Sequence, residues 1–103
     1  MEITLTVALI DEAMKGNAFW LDPMSRAAWI IARATTLGYV KRLSHTQVQW
    51  TDEGLAKARR ELVSKIDWAQ AWKRAAARLK DTRSGWKHYA LARAKIATLR
   101  SFA

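Results

Sequence analysis

Cysteine is absent from all 103 residues, which excludes a disulfide framework and thiolate zinc ligation and suits a reducing cytoplasm. Glycine is held to four residues. They stand singly, at 16, 38, 54 and 85, so no glycine-rich loop exists to cradle a phosphate. No apolar run approaches the roughly 18 to 20 residues needed to span a bilayer. The amino terminus, with Glu2 and two threonines among its apolar residues, lacks the basic region and cleavage pattern of a signal peptide. His45 and His88 have no carboxylate beside them at ligand spacing, so neither metal nor other cofactor is expected. Asp11 and Glu12 are neighbours that point to different sides of a helix, and the adjacency of Ser44 and His45 is no sign of a nucleophile and its base. In a chain too small for a roomy pocket, these absences lead to the expectation of a soluble cytoplasmic binding protein and not an enzyme.

Acid is the scarcest charge: nine Asp and Glu stand against eighteen Lys and Arg, for a net charge of +9. Residues 1–56 hold five basic and six acidic side chains, a net −1, whereas residues 57–103 hold thirteen basic and three acidic, a net +10. A field of that sign draws polyanions, nucleic acid first and an anionic membrane second, though no membrane partner is expected in the absence of a span. The alternative is a solvated helical surface kept soluble by lysine and arginine.

What is present is mostly helical periodicity. Half the residues are apolar, enough for one domain with one modest core. Leu5, Leu9 and Ala13 recur at four-residue steps and predict a helix over 4–15, with Gly16-Asn17 as a left-handed stop. Residues 18–21, which include Phe19 and Trp20, read as a buried connector. Asp22-Pro23 reads as an N-cap followed by proline at the first helical position, opening a helix that runs to Leu37 with Gly38 just past its end. Ala27, Ile30, Ile31, Ala34 and Leu37 form its apolar face, and Arg26, Trp29 and Arg33 gather on the opposite one. From Asp52 to Lys80 two apolar stripes are offset by roughly 90°, one through Leu55, Ala58, Leu62, Ile66 and Ala69 and one through Trp68, Trp72, Ala75, Ala76 and Leu79; the offset predicts a break near 63–67. Residues 81–85 read as a loop, with Ser84 capping a last helix to Ser101. The Trp68 and Trp72 pair fills a helix interface or else offers a platform on which bases stack.

One stretch alternates apolar and polar residues instead: Gly38 to Gly54, GYVKRLSHTQVQWTDEG. It reads as a β-hairpin over 39–50 with its turn at Ser44-His45, placing Val48 and Trp50 on one face with Tyr39 and Leu43. Thr51 then caps a helix whose first turn carries Asp52 and Glu53. A helix, a tight glycine, a short basic hairpin and a capped helix resemble the wing of winged helix-turn-helix DNA-binding domains, over roughly residues 22–62. This chain has one helix fewer ahead of the hairpin than that family's pattern.

The expected fold is mainly α, four or five helices with one small β-hairpin, winged-helix-like. It is a single domain over 1–103, with a winged-helix-like part at 1–62 and a basic helical part at 63–103. The resemblance implies that the helix over 23–37 is a recognition helix, with Arg26, Trp29 and Arg33 toward the DNA and Lys41 and Arg42 on the wing. Arg60, Lys73, Arg74 and Arg78 lie on the basic half and are the candidate phosphate contacts. Two functions follow. One is a DNA-binding regulator or accessory factor on duplex DNA. The other is a small inhibitor or adaptor, of the anti-defence kind that phages encode, which docks its tryptophans and arginines on a nucleic-acid-processing protein complex.

Overall fold

The computed structural model describes residues 2–102. Seven elements follow in order: α1 (Val7–Lys15), β1 (Ala18–Trp20), α2 (Ala27–Thr36), β2 (Val40–Arg42), β3 (Gln47–Trp50), α3 (Asp52–Ala77) and α4 (Arg83–Arg100). The protein is mainly helical with a small antiparallel sheet. It divides into two compact units, Met1–Glu61 and Leu62–Ala103.

In the first unit the sheet has three strands, ordered β1-β3-β2. Residues 18–21 were expected to be a connector, yet Ala18, Phe19 and Trp20 pair with Gln49, Val48 and Gln47. The reason is local: with Phe19 buried and its neighbours exposed, this stretch has the period of a half-buried strand, too short to register as one in sequence. β2 pairs Val40, Lys41 and Arg42 with Trp50, Gln49 and Val48. The hairpin therefore turns about His45 and not between Ser44 and His45, a shift of one residue that exchanges the two faces of β2. Val40 joins Val48, Trp50 and Phe19 inside, where the Phe19 and Trp50 ring centroids are 5.7 Å apart. Lys41 joins Gln47, Gln49 and Trp20 outside. The Ser44 hydroxyl sets the loop by accepting from the Gln47 N–H at 3.2 Å, and the Arg42 guanidinium closes it by donating to the His45 carbonyl at 3.0 Å.

The core of this unit is completed by Leu5, Leu9 and Ile10 from the amino-terminal segment, Ile31 and Ala34 from α2 and Ala58 from α3. Thr6, not an earlier residue, caps α1 by accepting from the Leu9 N–H. Gly16 ends the helix in fully extended backbone, so the left-handed stop expected there is not used. Among the described residues only Gly38 has a positive φ, 84°. The Gly38 N–H reaches the Thr35 carbonyl and the Tyr39 N–H the Ala34 carbonyl, a Schellman closure that turns α2 into β2. Asp22-Pro23 does not open α2. The Asp22 carboxylate accepts from the Met24 N–H and its carbonyl from the Ser25 hydroxyl, so 22–26 is a closed turn and the helix starts at Ala27.

Thr51 joins hairpin to helix. Its hydroxyl lies 2.7 Å from the Gly38 carbonyl and 3.0 Å from that of Tyr39, and it accepts from the Gly54 N–H at 3.1 Å. Gly54 is required by close approach, because a Cβ there would overlap the Tyr39 carbonyl.

α3 is unbroken over 26 residues, so the break expected at 63–67 does not occur. The two stripes are covered unequally. Ala58, Leu62 and Ala69 of the first are buried, with Leu55 and Ile66 half-buried; of the second Ala76 is buried and Trp72 half-buried, while Trp68, Ala75 and Leu79 are exposed. The second unit holds the rest of α3 and α4, which return antiparallel: the Trp72 ring stands 6.1 Å from that of His88, edge-on, and Trp68 and Trp72 line one groove with Leu91 and Lys95. Thr82, not Ser84, caps α4 by accepting from the Gly85 N–H at 3.0 Å. Gly85, Ala92, Ile96 and Leu99 form its buried stripe.

Candidate nucleic-acid interface

α2 positions the three residues the sequence singled out. Its inner face buries Ile31 and Ala34, and at 100° per residue this turns Arg26, Trp29 and Arg33 outward. Arg26 and Arg33 are exposed and Trp29 is 83% exposed. No part of the first unit covers the indole, so Trp29 is not a core residue. Trp68, at 62% exposed, is not core either; it pairs with Trp72 at 5.4 Å between centroids and 37° between planes.

The hairpin divides its two basic residues. Lys41 is exposed on the outer sheet face, whereas Arg42, also exposed, has one N–H held by the turn. On the same face, across the central strand, stands Trp20, 62% exposed and directly opposite Gln47. Trp20 was missed because the strand that displays it was not recognised. Of the remaining candidates, Arg60 is exposed on α3 in the first unit; in the second, Arg74 is exposed on α3, Lys73 half-buried, and Arg78 exposed in the turn after the helix. The candidates are thus spread over α2, the hairpin, α3 and the turn that follows it. Only Arg26, Trp29 and Arg33 are brought together by one short element.

Charge pairing separates the two units. Among the described residues the ion pairs are Lys15 with Asp11 at 2.8 Å, and Lys57 with Glu2 and with Glu61, each at 3.3 Å. All belong to the first unit. The second unit carries ten basic and two acidic residues, a net +8, and none of its described cations has a carboxylate within ion-pair distance.

Lys57 is withdrawn from any ligand. It is buried at 7% exposure and its ammonium also lies 5.2 Å from the centroid of the Tyr39 ring. Burial pulls its pKa down, but the hydrogen bond to Glu2 and the charge of Glu61 outweigh it, and the net direction is up. Glu61 accepts from the Leu5 N–H through both oxygens, at 2.9 and 3.1 Å. Glu2 accepts from the Tyr39 hydroxyl at 2.7 Å; that bond, the Ile3 N–H and Lys57 lower its pKa to about 2, and the same bond raises that of Tyr39. The cluster ties the amino-terminal segment to α3 and Tyr39. It is scaffold for the α2 and hairpin surface.

No group of three metal-ligating side chains lies together among the described residues, and no described helix is long and apolar enough to cross a membrane. No protein-family model, curated protein or solved structure matches this chain.

Proposed function

We propose that this chain is a DNA-binding protein, an abbreviated winged helix that sets α2 against duplex DNA with the β2-β3 hairpin as its wing. The observation that carries the reading is the outward display of Trp29 between Arg26 and Arg33 on the helix that leads, through Gly38, into a hairpin carrying Lys41 and Arg42. Two guanidiniums on one helical face suit phosphates and guanine edges, and an exposed ring between them adds apolar contact that water does not reward. The turn at 22–26 takes the place of the further helix that the family's pattern has ahead of its recognition helix. Arg60, Lys73, Arg74 and Arg78 supply sequence-independent attraction, and a regulator or accessory factor of the reducing cytoplasm is the role that fits.

The test is a titration of labelled random-sequence duplex at several salt concentrations. Contact with about six phosphates gives a slope of log K against log salt of roughly −5. Failure to bind at low salt would sink the reading.

A second reading draws on Trp20 and Met24, which are exposed close in sequence to Trp29. Large apolar side chains so displayed suit a protein surface better than a phosphate backbone. A small inhibitor or adaptor of a nucleic-acid-processing complex would use them as anchors, and it would show no salt-dependent affinity for duplex of its own.

A further inference from the structure

α4 has a second surface, which the α2 reading leaves unused. Arg83, Trp86, Ala90, Arg93, Ala97 and Arg100 follow one another at three- and four-residue steps, and at 100° per residue they fall within about 100° of each other. All six are exposed. The buried stripe of the same helix lies on another side, so packing explains none of them. Trp86, at 58% exposed, stacks on Tyr89 with centroids 6.1 Å apart and planes at 27°, and the Arg93 guanidinium lies 5.9 Å from the Tyr89 ring centre. Beside this row of two rings and a guanidinium is an open hollow of about 340 Å³, floored by Ala90 and Ala94. α4 contains no acidic residue.

We infer that the Trp86, Tyr89 and Arg93 row is a site for single-stranded nucleic acid, with an unpaired base stacked on Trp86 and neighbouring phosphates held by Arg83, Arg93 and Arg100. Charge fixes the class of partner: three arginines on one helical face, no acid on the helix and no ion pair among the unit's described residues leave their charge for a polyanion. The rings narrow it to a single strand. In a duplex both faces of nearly every base are already stacked, whereas an unpaired base has a face to give, and aromatic stacking with arginine alongside is how such strands are held without sequence preference. The alanines between the arginines keep the surface low, so a strand can lie along it. A lipid surface is a poorer match, because the face offers two rings and alanines where a membrane-binding helix presents a broad aliphatic stripe.

The experiment compares a short labelled oligothymidylate with an abasic strand of the same number of phosphates, by fluorescence anisotropy with the full chain. The thymidylate binds roughly ten- to hundredfold more tightly, the gap being the stacking contribution. Trp86→Ala closes that gap and leaves both the abasic affinity and the melting curve unchanged; Trp86→Phe, which keeps a ring, preserves most of it. Equal affinity for the two strands in the native protein overturns the inference, as does a gap that survives in Trp86→Ala. So does binding to phosphatidylserine vesicles with none to the thymidylate. A parallel duplex titration separates this site from α2: Trp29→Ala loses duplex and keeps the thymidylate preference, and Trp86→Ala does the reverse. A chain that holds the single strand and no duplex retires the α2 reading alone.

Discussion

Trp29 and Trp50 show how one residue type takes opposite parts in one small unit. Trp50 is buried against Phe19, on the inner face of the sheet, and among the described residues its indole N–H is the one buried side-chain polar group left without a partner. Trp29 stands in solvent. Trp29→Ala is therefore expected to move stability by no more than about 0.5 kcal/mol, the usual range for a surface change. If α2 is a recognition surface, the same substitution weakens duplex binding by roughly 2 kcal/mol, about thirtyfold in Kd. A thermal melt beside a binding titration reads both. A collapse in stability would mean that the indole is covered after all.

Glu2 gives a residue-scale prediction with a fixed sign. Its carboxyl titrates near 2 in the folded chain against 4.5 for the free group, chiefly because the ionised form accepts from the Tyr39 hydroxyl. The unfolded chain thus takes up the proton first as pH falls, so the stabilisation is complete above 4.5 and is lost progressively between about 4.5 and 2. Melting temperature is expected to drop through that window in the native protein. In Glu2→Gln the drop is shallower, because the group that titrates is gone. Identical acid profiles would show that the Tyr39 bond does not persist in solution.

At the scale of the element, what was legible in the sequence depended on how local its cause is. The Gly38 end of α2 and the Thr51 cap of α3 were readable because each is decided within a few residues, by a left-handed glycine and by a hydroxyl placed ahead of a free N–H. The hairpin register was not. Neither Ser44 nor His45 demands a particular turn, and the one-residue shift is set by the third strand and by the core that takes Val40 and Val48 together. β1 escaped for a related reason, since three residues are too few to show a period. The expected break in α3 rested on the premise that both apolar stripes must be covered. The second stripe is covered only at Ala76 and in part at Trp72, and the exposed Trp68 and Leu79 refute the premise, not the periodicity. As for the candidate site, the α2 face was visible as a helical projection, whereas Trp20 and the Trp86 row depended on a strand and a stacking geometry that spacing alone does not give.

The junction of hairpin and α3 yields the element-scale prediction. A methyl group at position 54 would overlap the Tyr39 carbonyl and crowd the Trp50 ring, and backbone cannot step aside as a flexible side chain does. Gly54→Ala should cost about 3 kcal/mol or more, at the upper end of overpacking effects. Gly16→Ala is the matched control, since a Cβ there meets nothing within 4 Å on extended backbone that any residue adopts. Denaturant unfolding of the two variants should separate them widely. Equal midpoints would show that the hairpin can pull back from α3 at little cost.

For the molecule as a whole, charge is distributed so that the first unit neutralises much of its own while the second keeps nearly all of it. Lys57 and Lys15 are engaged in ion pairs, Arg42 is partly held in its turn, and the net +8 of residues 62–103 has no internal partner among the described residues. Such an excess repels itself, so its presence weighs against the compact state unless a polyanion relieves it. That makes the basic half testable apart from any specific surface. Replacing Arg74 and Arg78 together with alanine, both exposed, should weaken binding to all duplex sequences alike and reduce the salt slope by about one unit for each phosphate no longer neutralised. A specific surface behaves differently: removing a base-reading side chain at Arg26 or Arg33 changes the preference among sequences, while the slope tracks only the number of phosphates neutralised. If the Arg74 and Arg78 double variant keeps both affinity and slope, this charge is solvated surface. Duplex would then have to be held by Arg26, Arg33, Lys41 and Arg42 with Arg60 and Lys73, and at about 0.9 per phosphate neutralised a slope near −5 would require nearly all six.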